Sequence, residues 1–101
     1  MSRASTDAGH AHVLRELNEE RAAALARIAR RLEALLTELR DLHERAGSAS
    51  GRERASLRTR HDAVRAQALE YRWYLEVQRE SIGIRSHTPL DEFYPVPGPL
   101  I

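Results

Sequence analysis

The residues best suited to chemistry are the arginines that open the second half of the chain. Residues 52–65 hold five arginines, among them Arg54, Arg58 and Arg65, against two acidic residues. An arginine fork binds phosphate or carboxylate through paired hydrogen bonds, so these three residues predict an anion contact and a nucleic-acid-binding regulator. The formal net charge is only +1. Arginines beside a helix seam commonly pair with acidic residues of another helix, so nucleic acid is our alternative interpretation.

Patterns for catalysis or metal binding are weak in this sequence. His10 and His12 form a His-x-His pair, and the other three histidines are isolated. We find no Glu-x-x-His motif, no His-Glu-x-x-His motif and no glycine-rich phosphate loop. With no cysteine, the chain has neither a disulfide nor a thiolate ligand. We therefore expect no enzyme activity, no cofactor and no metal site.

The aromatic residues indicate a protein partner. All five lie between residues 71 and 94, and tyrosine and tryptophan are enriched where interfaces gain most of their binding energy. The predicted partner-binding residues are Leu69, Tyr71, Trp73, Tyr74, Val77, Phe93, Tyr94, Pro95 and Pro97. A competing interpretation is that Phe93 and Tyr94 fold back onto Trp73 and only close a small core.

A first long helix, from about residue 11 to residue 46, must support this cluster. After a flexible tail over residues 1–10, apolar residues recur at alternating steps of three and four, the heptad pattern of a helix that buries a narrow seam. The seam of this helix is Leu25, Ile28, Leu32, Leu35, Leu39, Leu42 and Ala46. Extended backward, the same frame brings Leu14, Asn18 and Arg21 into the seam.

A second long helix is predicted after a loop over residues 47–50. Gly47 is suited to a left-handed helix terminator, and Ser50 with Glu53 has the spacing of a capping box. The second helix covers about residues 51–83 and ends at Gly83, with Ile84 placed for a Schellman contact. Its seam is Leu57, His61, Val64, Ala68, Tyr71, Leu75, Gln78 and Ile82.

The short loop makes the two helices antiparallel. Folding back about the loop places Leu39 near Leu57 and Leu32 near Val64, and at the open end it places Asn18 near Gln78. This register can slip by half a heptad. The hairpin as a whole covers residues 11–84, and we expect His61 to be a partly buried packing residue whose titration makes the hairpin mildly sensitive to pH.

The C-terminal arm, residues 85–101, has a different character. Thr88 followed by Pro89 resembles an N-cap and a first helical proline, so one short helical turn is expected near residues 89–93. The prolines that follow predict an extended, polyproline-like segment. A further hypothesis is that residues 93–100 dock on another protein as a peptide.

The second helix is apolar on two opposite sides. At 100° per residue, Ala66, Leu69, Trp73 and Val77 lie within about 80° of one another, away from the seam. A hairpin covers only one side, and a small chain without disulfides or metals needs association for its stability. We therefore predict an all-α protein: a long antiparallel two-helix hairpin, coiled-coil-like, with an extended arm, that completes a four-helix bundle or packs on a larger partner.

The predicted function is accordingly a helical protein–protein interaction module. It would be either a homo-oligomer or an accessory subunit of a larger complex, with the second helix and the arm as its binding surface. No stretch of 18 or more apolar residues is present, so we expect no membrane span. The composition and the lack of cysteine favour the cytoplasm.

Overall fold

The computed structural model describes residues 3–83 and 89–101, with side chains from residue 8 onward. Helix α1 runs from Arg3 to Gly47, α2 from Gly51 to Ser81, and a single turn, α3, from Leu90 to Phe93. The described residues contain no strand, and the molecule is elongated, with extents of 76 × 24 × 15 Å. This confirms the predicted all-α hairpin.

The core is the seam that the heptad pattern predicts. The buried residues of α1 are Leu32, Leu35, Leu39, Leu42 and Ala46, and those of α2 are Leu57, His61, Val64, Ala68 and Leu75. Leu25, Ile28 and Tyr71 are half-buried against them. A strip of leucine on one helix thus packs against smaller residues on the other, and its burial holds the hairpin together.

An ion pair across the hairpin reports the register. Both Nε and one terminal nitrogen of Arg60 reach Oε1 of Glu38, at 2.8 and 2.6 Å. Residue 38 therefore lies beside residue 60, which agrees with the expected pairing of Leu39 with Leu57 to within half a heptad.

The open end of the hairpin differs from the prediction. Helix α1 already begins at Arg3, within the tail expected over residues 1–10, and no proline in this segment stops the helix. At 1.5 Å per residue α1 is about 20 Å longer than α2, so its first turns extend past α2. Leu14 and Asn18 are exposed rather than buried in the seam. The polar residues of this end gain too little by burial to hold the helices together.

The turn geometry also corrects two predictions. Gly47 is the last residue of α1 and keeps a negative φ, whereas the left-handed residue is Gly51, with φ of 58°. Ser50 is the N-cap of α2, but its side chain makes no capping hydrogen bond. Because Gly51 has no Cβ, it can turn the chain directly into α2.

The end of α2 forms as expected within the described residues. Gly83 has a φ of 77°, and its N–H donates to the carbonyl of Glu80 at 3.1 Å, as in a Schellman cap. The expected contact of Ile84 and the expected N-cap at Thr88 lie outside the described residues. Pro89 is the N-cap of α3 and not its first helical residue.

The end of the chain folds back along the hairpin. Leu90, Tyr94, Val96 and Leu100 are half-buried and pack against the hydrophobic core. The arm after α3 has no regular secondary structure. It runs antiparallel to α2, toward the loop that joins the two long helices, as its contacts with α2 show below.

Candidate protein-binding surface

A row of arginines on α2 holds the arm by its backbone. Arg72 donates to the carbonyl oxygen of Tyr94 at 3.2 Å, Arg65 to that of Pro97 at 2.7 Å and Arg58 to that of Leu100 at 3.4 Å. At the end of the row, Arg54 donates to Ile101 at 2.7 Å and to Ala46 at 3.2 Å. We call Arg54, Arg58, Arg65 and Arg72 the arginine row. Arg54 thereby also satisfies a carbonyl in the last turn of α1.

The spacing of the two segments explains this fit. Arg58, Arg65 and Arg72 are seven residues apart, which is about 10.5 Å along an α-helix. Their acceptors are three residues apart, which is about 9.3 Å along a polyproline II strand. One heptad of helix therefore nearly equals one turn of the strand, and flexible arginine side chains absorb a difference of about 1 Å.

This geometry gives the predicted anion-contact residues an intramolecular role. Arg54, Arg58 and Arg65 each donate to a backbone carbonyl of the arm. Sequence analysis singled out Arg54, Arg58 and Arg65 but did not connect them with the arm, and it left Arg72 out of the predicted site. The signal that could have connected them is that seven residues of a helix have nearly the length of three residues of polyproline II, the conformation that prolines favour.

The side of α2 that faces away from α1 is apolar and exposed. We call Ala66, Leu69, Trp73 and Val77 the outward face. Trp73 is 59% exposed and Val77 is 40% exposed, while Leu69 is half-buried. The described part of the arm, residues 89–101, leaves Trp73 more than half exposed. The structure therefore does not show the small core in which Phe93 and Tyr94 fold back to cover it.

Three aromatic rings connect this face to the seam. The rings of Trp73 and Tyr74 lie 5.5 Å apart, and those of Tyr74 and Tyr71 lie 5.6 Å apart in an edge-on arrangement. The Tyr74 hydroxyl donates to the carboxylate of Glu70, and this hydrogen bond raises the pKa of the tyrosine. The half-buried Tyr71 anchors the row, so Trp73 is presented by a supported aromatic cluster.

The predicted residues of the arm differ in their exposure. Phe93 is 62% exposed and faces α1, with Ala22, Leu25 and Ala29 across an open apolar groove. Tyr94 is half-buried against the core, whereas Pro95 and Pro97 are exposed. The arm thus contributes one exposed aromatic side chain and a strand of exposed prolines.

His61 is the one polar residue buried in the described core. Only 1% of it is exposed, and its Nδ1 has no hydrogen-bond partner. Burial lowers the pKa of His61. The nearby negative charge of Asp62 acts to raise this pKa, and the positive charges of His43 and Arg65 act to lower it further. Sequence analysis expected a partly buried residue, so the burial is more complete than expected.

A short cleft lies beside Trp73, between α2 and the start of α3. Its lining residues are Leu69, Arg72, Trp73, Glu76, Pro89, Leu90 and Asp91. Among the described residues, no three histidine or carboxylate side chains come together as a metal site requires. What this surface offers is an apolar stripe, an indole and carboxylates, which suit the binding of another protein.

Comparisons of the chain with protein-family models, with curated proteins and with solved structures found no match. No helix among the described residues is long and apolar enough to cross a membrane.

Proposed function

We propose that this chain is a non-enzymatic, helical protein–protein interaction module that serves as a small accessory or adaptor subunit. Its binding surface is the outward face of α2, with Trp73 at the centre. The observation that carries the proposal is the exposure of Trp73, at 59%, on a helix whose opposite side is buried in the seam.

The free energy available at this face is substantial. A tryptophan buries about 150–250 Å², so an exposed fraction of 59% leaves about 90–150 Å² uncovered. At about 25 cal/mol per Å², covering that area contributes about 2–4 kcal/mol before the cost of association. This contribution is in the range of an interface hot spot. Leu69 and Val77 lie beside Trp73 on the same face.

The aromatic cluster supports the same function. Side chains that bind a partner lose less conformational entropy when they are already held in place. Trp73 packs against Tyr74 with the two rings tilted by 59°, and Tyr74 in turn is fixed by its hydrogen bond to Glu70. The site is therefore partly organised before any partner arrives.

No observation on the surface favours nucleic-acid binding in the same way. The arginines that suggested it are engaged with the arm, and the exposed stripe of α2 is apolar. The lack of cysteine is compatible with a reducing compartment, and we propose that the module acts in the cytoplasm.

Site-specific photocrosslinking in the native cell tests the function. A benzoylphenylalanine at position 73, or at position 77, should form a defined protein adduct. The matched control is position 67, because Gln67 is exposed on another side of the same helix and should give no such adduct. The purified adduct partner should bind the full chain and lose affinity on Trp73→Ala.

Two results contradict the proposal. One is a failure of positions 73 and 77 to give an adduct beyond that of position 67. The other is an adduct partner that binds the Trp73→Ala chain as well as the original. Because Trp73 is exposed, this substitution should leave the thermal stability nearly unchanged, so loss of binding cannot be ascribed to unfolding.

A further inference from the structure

Acidic residues surround the outward face. At 100° per residue, four charged positions between residues 62 and 80 fall within about 60° of Trp73, and all four are acidic. They are Asp62, Glu70, Glu76 and Glu80. All four are exposed, and none takes part in the ion pairs found among the described residues. The apolar stripe thus has Glu70 on one side and Glu76 on the other, and the arginine row lies further round the helix beyond Glu76.

The cleft beside Trp73 continues this pattern. Glu76 of α2 and Asp91 of α3 both line it, next to the indole. Arg72 lines it too, but its guanidinium already donates to the carbonyl of Tyr94. Two carboxylates beside an indole suit a guanidinium, which can pair with carboxylate oxygens and stack on the ring.

An antiparallel second copy of α2 does not suit this face. A two-fold axis at Trp73 then places each flank of the face against its own counterpart, so Glu70 lies on the same side of the contact as Glu70 of the other copy. Carboxylates then face carboxylates at the edge of the contact, and such like-charge contacts suppress association.

We propose that the partner is a basic amphipathic helix of another protein. Its apolar stripe covers Leu69, Trp73 and Val77, its flanking arginines or lysines face the carboxylates, and one arginine enters the cleft between Trp73, Glu76 and Asp91. This inference rests on the function proposed above and specifies the chemistry of the partner.

Two synthetic helical peptides of roughly 18 residues test it with the full chain. Both carry a leucine stripe at heptad spacing, one flanked by arginines and the other by glutamates, and neither contains tryptophan. The chain has a single tryptophan, so a blue shift of its emission reports coverage of Trp73. We expect the arginine-flanked peptide to bind at least about 10-fold more tightly, with an affinity that falls as salt is added.

Charge reversal sharpens the test. The double variant Glu76→Lys with Asp91→Lys should invert the preference between the two peptides. The matched control is Glu19→Lys with Glu20→Lys, which reverses two exposed carboxylates of α1 and should leave the preference intact. Measured by calorimetry, the Trp73→Ala chain should bind the arginine-flanked peptide about 30-fold or more weakly than the original chain does.

The possible failures are distinguishable. Equal binding of the two peptides, no binding of either, or a preference that survives the charge reversal overturns this inference. A concentration-dependent dimer that shields Trp73 in the chain alone overturns it as well. If position 73 still crosslinks a partner in the cell, the proposed function stands and only the basic helix is wrong. If position 73 gives no adduct, the proposed function fails too.

Discussion

Replacing Arg65 with methionine should weaken the attachment of the arm to α2. Methionine keeps much of the apolar stem and removes the guanidinium, which donates to the Pro97 carbonyl at 2.7 Å. A net loss of about 1 kcal/mol is expected for one such hydrogen bond at a partly exposed site. For a domain of this size that corresponds to a fall in the melting temperature of about 4–8 °C.

The comparison variant is Arg52→Met. Arg52 is exposed in the first turn of α2, before the last arm contact at Arg54, and its replacement should leave the melting temperature within about 1 °C. A second readout follows the arm directly. The chain has no cysteine, and Gly98 is exposed with open space around it, so Gly98→Cys gives one attachment point for a fluorophore. The anisotropy of this dye should fall in the Arg65→Met chain.

The spacing argument adds a stricter perturbation. One alanine inserted between Pro97 and Gly98 shifts the carbonyl of Leu100 by about 3.1 Å along the strand. The carbonyl of Pro99 takes its place opposite Arg58, so the hydrogen bonds of the arginine row should remain, while the half-buried side chain of Leu100 loses its position against the core. Suppose that the Arg65→Met chain has the same melting temperature as the Arg52→Met chain and that the dye keeps its anisotropy. The arginine row then does not hold the arm, and the reasoning from spacing is refuted.

Three other predictions concern the hairpin itself. Because burial lowers the pKa of His61, the unfolded chain binds more protons than the folded chain below the ordinary pKa of 6.5. The free energy of unfolding, measured by urea denaturation, should therefore fall as the pH drops below 6.5. The variant His61→Leu should lack this pH dependence. Leu39→Ala should cost about 2–5 kcal/mol in the same assay, whereas Val13→Ala, at a residue 59% exposed, should change stability by less than about 0.5 kcal/mol. Gly51→Ala should cost about 1–2 kcal/mol because φ is 58°, while Gly47→Ala should stabilise by about 0.4–1 kcal/mol, as measured by thermal melting.

The hairpin could be predicted because its information is local and repeated. The heptads that place Leu32, Leu35 and Leu39 in the seam depend only on spacing within one helix. The loop length then makes the helices antiparallel without further information. The left-handed residue was harder to assign, because Gly47 and Gly51 flank the same short loop and either can supply a positive φ.

The docked arm could not be predicted from local patterns. Its contacts join residues that are between 22 and 47 positions apart, and they require three residues of the arm to span about the same length as seven residues of α2. The acceptors are backbone carbonyls, which every residue has, so the sequence of the arm carries little sign of them. The start of α1 was missed for a different reason. Nothing before residue 11 stops the helix, so α1 continues beyond the apolar pattern that predicted it.

Helix α2 uses three sides differently, and the proposal for its partner follows from this division. Taking Trp73 as 0°, the seam residues Val64, Leu75 and Tyr71 lie near 180°, while the arginine row lies between about −60° and −100° over its three heptad positions. Helix α1 covers the first side and the arm covers the second. Neither α1 nor the arm can cover Trp73 without losing contacts that it already makes. The buried seam holds α1 in place, and the hydrogen bonds to its carbonyls hold the arm. The indole is therefore exposed as a consequence of how the described chain satisfies its other two sides, and this leaves its face open to the helix that we propose another protein supplies.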